Sequence, residues 1–376
     1  MTKVFFTKRQ LDHYAYLLVS YCLQLKKKEK VLIRSTHLAT PLLQALHAKV
    51  SAIGAIAEYQ LDFETQEKLF YENAPDSRLG TPSPFYVHAV EQFDAIITIR
   101  APYTTNDLKA ISLDKRHRHQ NGYSRIRAQL MSRAAKKDLR WVLCEYPTPA
   151  SSKQVNLSQE AFSEVVKKGC FLTHKDPRSK WQDLSAFQER LVRKLNKVSK
   201  LHFKGPKIDL SLSIKNRLWI NSDGKRNMPS GEVFTSPVES SLNGQIYFSY
   251  PSSHQGHRVE GVTLSVKNGT VVSWKAKKGQ AYLDHFFTIK GANRFGEVAI
   301  GTNPHIQTAI CNTLFDEKIA GSIHLALGAS YPETGGKNKS SQHWDLITDM
   351  RNGGQIFADD ALIYKNGDFL RDFVDT

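Results

Sequence analysis

Seventeen of the 22 glycines in this chain fall after residue 205, and five fall within residues 1–205. Glycine loses more conformational freedom on ordering than any other residue, so it gathers where a backbone must turn tightly or approach another closely. A chain divided this way is not one uniform fold. Charge divides at the same place. Residues 1–205 hold 34 Lys+Arg against 19 Asp+Glu, whereas residues 206–376 hold 18 against 17. Two independent shifts at one position predict two domains, 1–205 and 206–376, with Lys204-Gly205-Pro206-Lys207 as a hinge.

The first half reads as helices and strands in alternation. Leu11, Tyr14, Leu17, Leu18, Tyr21, Cys22 and Leu25 lie on one helical face. A strand at Val31–Ile33 follows, then Thr40-Pro41 as an N-cap with proline at the first helical position. Further strands are expected at AIAEYQL, Phe93–Ile99 and Arg140–Tyr146, and further helices at Ser158–Gly169 and Lys180–Val198. Such alternation implies parallel crossovers, hence an α/β domain with an open, doubly wound sheet. No GxGxxG follows any of these strands, which argues against a dinucleotide site.

The second half predicts a β-rich α+β domain. Asn243-Gly244, Asn268-Gly269 and Asn366-Gly367 are hairpin signals, two of them flanked by alternating apolar residues. No apolar run nears the ~18 residues of a membrane helix. The opening MTKVFFTKRQLDHYAY lacks a secretory apolar stretch. Cys22, Cys144, Cys170 and Cys311 are far apart with no CxxC, so free thiols and a cytoplasmic location are expected. Cys311 lies in the apolar run Thr308–Leu314 and reads as core.

The formal charge of +16 raises nucleic acid as a partner. Its densest stretch, Lys115 to Arg140, has nine Lys+Arg against the single acid Asp138. Ile126, Leu130, Met131, Ala134 and Leu139 recur there at helical spacing, and only Tyr123 could stack on a base. This reads as a solvated basic helix, with a nucleic-acid-binding protein as the alternative.

The chemistry concentrates between His324 and Arg351. GSIHLALG and QHWDLITD read as two strands around a loop holding Tyr331, Pro332 and Gly335-Gly336. His343 and Asp345, two apart on a strand, leave the same face and can serve one metal ion or two adjacent ones. His324 can join them from the neighbouring strand. Alone, a His-x-Asp pair is more often the polar face of an exposed strand. Two Gly-Glu pairs change the reading: Gly231-Glu232 in NMPSGEVFTSP and Gly296-Glu297 in RFGEVAIGTNP. Each is a carboxylate behind a glycine and ahead of an apolar strand, which suits a ligand where backbones approach closely. Two glutamates, two histidines and an aspartate suit zinc, cobalt or manganese. Five donors exceed what one open tetrahedral site needs and point to a pair of ions. HExxH, a P-loop and a GxSxG elbow are all absent.

NMPSGEVFTSPVE, GEVAIGTNP, LFDEKIAGSIHLALG and SYPETGGKNKSSQHWDLI resemble the signature segments of the thermophilic-type metallo-aminopeptidases, the family of aminopeptidase T and aminopeptidase S. The resemblance covers nearly all of residues 206–376 and, more loosely, LLVSYCLQLKKKEKVLIRS and RWVLCEYPTPASS. It implies six metal ligands for two divalent ions (zinc, cobalt, manganese or magnesium): Glu232, Glu297, His324, Tyr331, His343 and Asp345. Tyr331 enters through the resemblance alone. It further implies removal of the N-terminal residue from short peptides by a homodimer, with the first domain shaping access and dimer contacts. Glu317 and Glu260 are the candidates for the general acid or base.

Overall fold

The computed structural model describes residues 5–105 and 111–375. The first four residues of the amino-terminal reading lie outside the described residues. The chain separates into two compact units. One comprises Met1–Arg178 with Gly224–Met228, the other Ser179–Asp223 with Pro229–Thr376. The Lys204–Lys207 segment is the turn of an antiparallel hairpin, pairing Lys200–Gly205 with Ile208–Ser213, so no hinge forms there. Composition changes later than the units do because the basic helix Pro177–Leu195 runs across the unit boundary.

The first unit is built on a parallel sheet. Lys30–Thr36 pairs with both Ile56–Asp62 and Ala95–Arg100, and the latter pairs with Arg140–Glu145. Asn227–Met228 adds a short parallel edge. The apolar face from Leu11 to Leu25 is buried along its length, on a helix at Lys8–Tyr16 that continues as a π-helical segment at Leu17–Cys22. Thr40 does not cap its helix. It is the first helical residue, and its hydroxyl donates to His37 O. The basic stretch forms two helices, Leu113–Gly122 and Ser124–Ala135, with Ile126 and Leu130 buried and Met131 exposed.

The second unit holds two larger antiparallel sheets. One has eight strands; the other has five, ordered His343–Asp349, Ser322–Gly328, Phe295–Gly301, Glu232–Thr235 and Ile220–Ser222. One continuous hydrophobic core joins them, with Phe203, Leu210, Phe248 and Ile356 from the eight-stranded sheet and Val298, Ile300, Leu325, Leu327, Trp344 and Leu346 from the five-stranded one. Asn268-Gly269 and Asn366-Gly367 turn hairpins with positive φ at both residues, as two-residue turns require. Asn243-Gly244 instead begins a strand; a Cβ on Gly244 would lie 2.0 Å from Asp209 O. The glycine there serves close strand approach, which mimics a turn signal. All four cysteines are free and buried. Among the described residues no helix is long and apolar enough to cross a membrane.

A small hairpin, Ser252–His254 with His257–Val259, packs beside the strand that carries Trp344. His254 stacks on Trp344 at 5.1 Å, and its Nδ1 is 2.7 Å from the Tyr282 hydroxyl. Burial, helped by His343 and His257 and opposed by Asp345, pushes its pKa from 6.5 down to about 4. The unfolded chain therefore takes up this proton first as pH falls. The stabilisation is complete above pH 6.5 and is lost toward pH 4, by about 3 kcal/mol at most. In metal-free protein, His254→Phe should flatten the fall of Tm over that interval. An unchanged pH profile in the variant would assign the acid sensitivity elsewhere.

Candidate metal centre

Four adjacent strands of the five-stranded sheet carry the candidate ligands. Across three neighbouring strands, Glu297 pairs with Ala326 and Ala326 with Asp345. His324 pairs with Ala299, His343 with Gly328, and Glu232 with Gly301. Side chains alternate faces with a period of two, so all five ligand candidates leave one face. Their cross-strand neighbours on that face are Ala299, Ala326, Gly301 and Gly328, with Ile347 beside His324 and Ser222 beside Glu232. The opposite face enters the hydrophobic core.

One irregularity makes this possible. The register shifts between Phe295 and Glu297, a bulge centred on Gly296. Phe295 therefore turns into the core while Glu297, two residues on, turns to the ligand face. A Cβ on Gly296 would lie 2.1 Å from Ala329 O, so only glycine fits. Gly231 has φ +118° and its Cβ would meet Asn303 at 2.7 Å. Both Gly-Glu pairs are thus places of close backbone approach, as their pattern suggests.

Glu297 is the hub. Its Oε1 lies 3.4 Å from His324 Nε2, and its Oε2 lies 3.3 Å from His343 Nε2. Glu232 Oε2 is 3.5 Å from His324 Nε2, and Asp345 Oδ1 is 3.4 Å from His343 Nε2. Three groups of donors could each hold an ion: Glu232, Glu297 and His324; Glu297, His343 and Asp345; and Glu317, His324 and Asp345. Two donors at tetrahedral angle around a zinc-sized ion, each about 2.0–2.1 Å from it, stand about 3.3 Å apart. The observed separations match that spacing.

The electrostatics point the same way. Burial opposes a charged His324, yet its hydrogen bond with Glu297 and the charges of Glu232, Glu297 and Asp345 raise it to about 9. Burial likewise opposes charge on His343, and Asp345 and Glu297 override it, raising it well above the usual histidine value. Burial raises Glu297 and Asp345, but the two histidines hold both carboxyls below the usual range. The cluster demands positive charge between its nitrogens and oxygens. His343 Nδ1 donates to Ala329 O at 2.9 Å, which leaves Nε2 as the atom facing Glu297 and Asp345. Glu232 Oε2 and Asp345 Oδ1 are buried with no hydrogen-bond partner. Orphaned oxygens beside an oriented imidazole fit a divalent cation.

Tyr331 stands in the loop between the His324 and His343 strands. Its ring lies 5.2 Å from that of His343 and 5.4 Å from that of Phe234. Burial, with the charges of Glu297, Asp345, Glu317 and Glu232, raises its hydroxyl well above the ordinary value. The loop is held by Thr334 Oγ1 donating to Ser236 Oγ at 2.6 Å and by Arg217, which bonds Gly335 O and Glu239.

The structure separates the two acid/base candidates. Glu317 follows the short helix Thr313–Asp316 and belongs to a donor group with His324 and Asp345; burial raises it to about 7. Glu260 belongs to none of the three groups and pairs with Arg258 at 2.8 Å and Lys278 at 3.2 Å. Two residues escaped the sequence reading. Lys318 is 1% exposed and bonds both Glu232 and Glu317. Gln188, fully buried, donates to Glu232 O at 2.7 Å and fixes the ligand's backbone. An Asp-Glu-Lys run looks like surface, and its only hint of burial is the apolar residues on either side, Leu314-Phe315 and Ile319.

A family model described as thermophilic metalloprotease (M29) matches residues 7–369. The chain belongs to that family. Aminopeptidase PepS of Streptococcus thermophilus is 30% identical to it over 63% of this chain and 64% of PepS, so more than a third of PepS is unmatched. Aminopeptidase 2 of Geobacillus stearothermophilus is 26% identical over 86% of this chain and 84% of the relative. The solved structure of wild-type AmpT from Thermus thermophilus superposes with a TM-score of 0.84 at 23% identity, covering 96% of this chain and 99% of AmpT. That likeness carries the fold: mixed α/β, with a parallel sheet and a large antiparallel sheet.

Proposed function

We propose that this M29 protein is a two-metal aminopeptidase that removes the N-terminal residue of short peptides. The observation that carries the reading is Glu297, whose two oxygens each face a different histidine. Glu232, Glu297 and His324 would hold one ion, and Glu297, His343 and Asp345 the other, with Tyr331 as a sixth ligand. When bound, the ions supply Lewis acidity that lowers the pKa of water and polarises a carbonyl.

The chain's own residues supply the rest. Glu317 is the group to hold and move the proton, because it adjoins the donors and its other oxygen is free of Lys318. His343 is oriented by Ala329 O, Glu232 by Gln188 and Lys318, and the Tyr331 loop by Thr334 and Arg217. Such fixed supports let a site meet a developing charge without reorganising. The aminopeptidase names of the relatives support attack at a free N-terminus. A homodimer in the cytoplasm, with the basic first domain (1–205) shaping access to the catalytic residues of 206–376, belongs to the same proposal. A nucleic-acid-binding role draws no support from these relatives.

The decisive measurement is elemental analysis of purified protein together with a panel of aminoacyl substrates. Chelation should abolish cleavage, and re-addition of zinc, cobalt, manganese or magnesium should restore it, with one ion restoring most. Absence of bound metal at stoichiometric level, or cleavage that survives chelation, overturns the reading.

A further inference from the structure

We propose that Lys318 is a positioning residue that limits how many carboxylate oxygens the metal centre receives. The inference rests on the two-metal reading and goes beyond it. The Lys318 ammonium bonds Oε1 of Glu232 and Oε1 of Glu317. It is 1% exposed, so these carboxylates take the place of water around it. A buried lysine is rare and persists only where its charge is paired.

The consequence falls on the two glutamates. Glu232 has one oxygen held by Lys318, while its Oε2 has no hydrogen-bond partner and stands 3.5 Å from His324 Nε2. It therefore offers the centre one oxygen instead of a chelating pair. Glu317 stands in a donor group with His324 and Asp345, close enough to ligate. Lys318 takes one of its oxygens and so withholds it, keeping a free carboxylate beside the centre. Fewer ligand oxygens leave coordination positions open for water and substrate, which a catalytic site needs and a closed structural site lacks.

The main chain of Lys318 is held at both its polar groups, and the two carboxylates hold the ammonium. Lys318 N donates to Phe315 O at 3.0 Å, and Lys318 O accepts from Asn303 N at 3.0 Å. A compact point charge on a flexible stem suits a gap between two carboxylates, where a planar guanidinium is bulkier.

Visible absorption of cobalt reads coordination number directly. The full chain is stripped of metal and titrated with cobalt, scoring stoichiometry and spectrum for the unmodified protein, Lys318→Met and Glu317→Gln. Lys318→Met frees two oxygens, one on Glu232 and one on Glu317, so molar absorption should fall about twofold or more as the coordination number rises. Folding of each variant is scored by circular dichroism. A folded Lys318→Met protein with an unaltered spectrum overturns the inference. Should that variant fail to fold, Glu317→Gln decides: its spectrum should superimpose on that of the unmodified protein, because Glu317 is not a ligand. A changed spectrum in Glu317→Gln means that the glutamate coordinates and overturns the inference as well. Failure of the unmodified chain to take up cobalt sinks the parent reading instead.

Discussion

Glu297→Ala should take peptide cleavage to background, a loss of about 10³-fold or more, and strip both ions from the protein. Asp345 shares a donor group with each histidine as well, but Glu297 sets a different oxygen against each of them. Oε1 stands 3.4 Å from His324 and Oε2 3.3 Å from His343, so truncation removes a donor from each of two groups at once. In those two groups the remaining donors, Glu232 with His324 and His343 with Asp345, are pairs, too few for a tight catalytic site, and in the third group, Glu317, His324 and Asp345, Lys318 holds an oxygen of Glu317. The backbone of the Glu297 strand is paired on both sides, and alanine leaves that pairing intact. Metal analysis beside circular dichroism checks the result. A folded variant that keeps two ions removes Glu297 from its assigned place.

Glu317→Gln is expected to act differently. The amide keeps the shape and can still accept from Lys318, but it cannot carry the proton. The rate constant kcat should fall by roughly 10²–10⁴ while metal content stays as it was. A kcat within tenfold of the parent would exclude Glu317 as the acid or base. Loss of metal would mark it as a ligand. The two variants thus separate holding the ions from using them.

Much of the site was legible because strands obey a period of two. His343 and Asp345 could be set on one face from their spacing alone, and His324 followed once GSIHLALG read as a neighbour. The Gly-Glu pairs signalled close backbone approach, and steric contact at Gly231 and Gly296 accounts for both glycines. Tyr331 was not legible from residue chemistry, because a loop has no period to say where a side chain points. Lys318 was hidden for a different cause: besides its neighbour Glu317 it pairs with Glu232, 86 residues away, which local sequence does not announce. Asn243-Gly244 shows the opposite failure. Its turn chemistry is correct, but contact with Asp209 from another strand reassigns the glycine.

The bulge at Gly296 sets what may be called the reading frame of its strand. Phe295, ahead of the bulge, faces the core, and the odd-numbered Glu297 and Ala299 after it share the face of the candidate ligands. Deleting Gly296 would leave Phe295 and Glu297 alternating directly on their present faces, whereas deleting a residue further along the strand would carry core side chains onto the ligand face. Substitution elsewhere along this strand can be graded, whereas a one-residue length change converts ligand positions wholesale. The candidate ligand face of this sheet therefore depends on the count of residues along its strands as well as on the identity of its side chains.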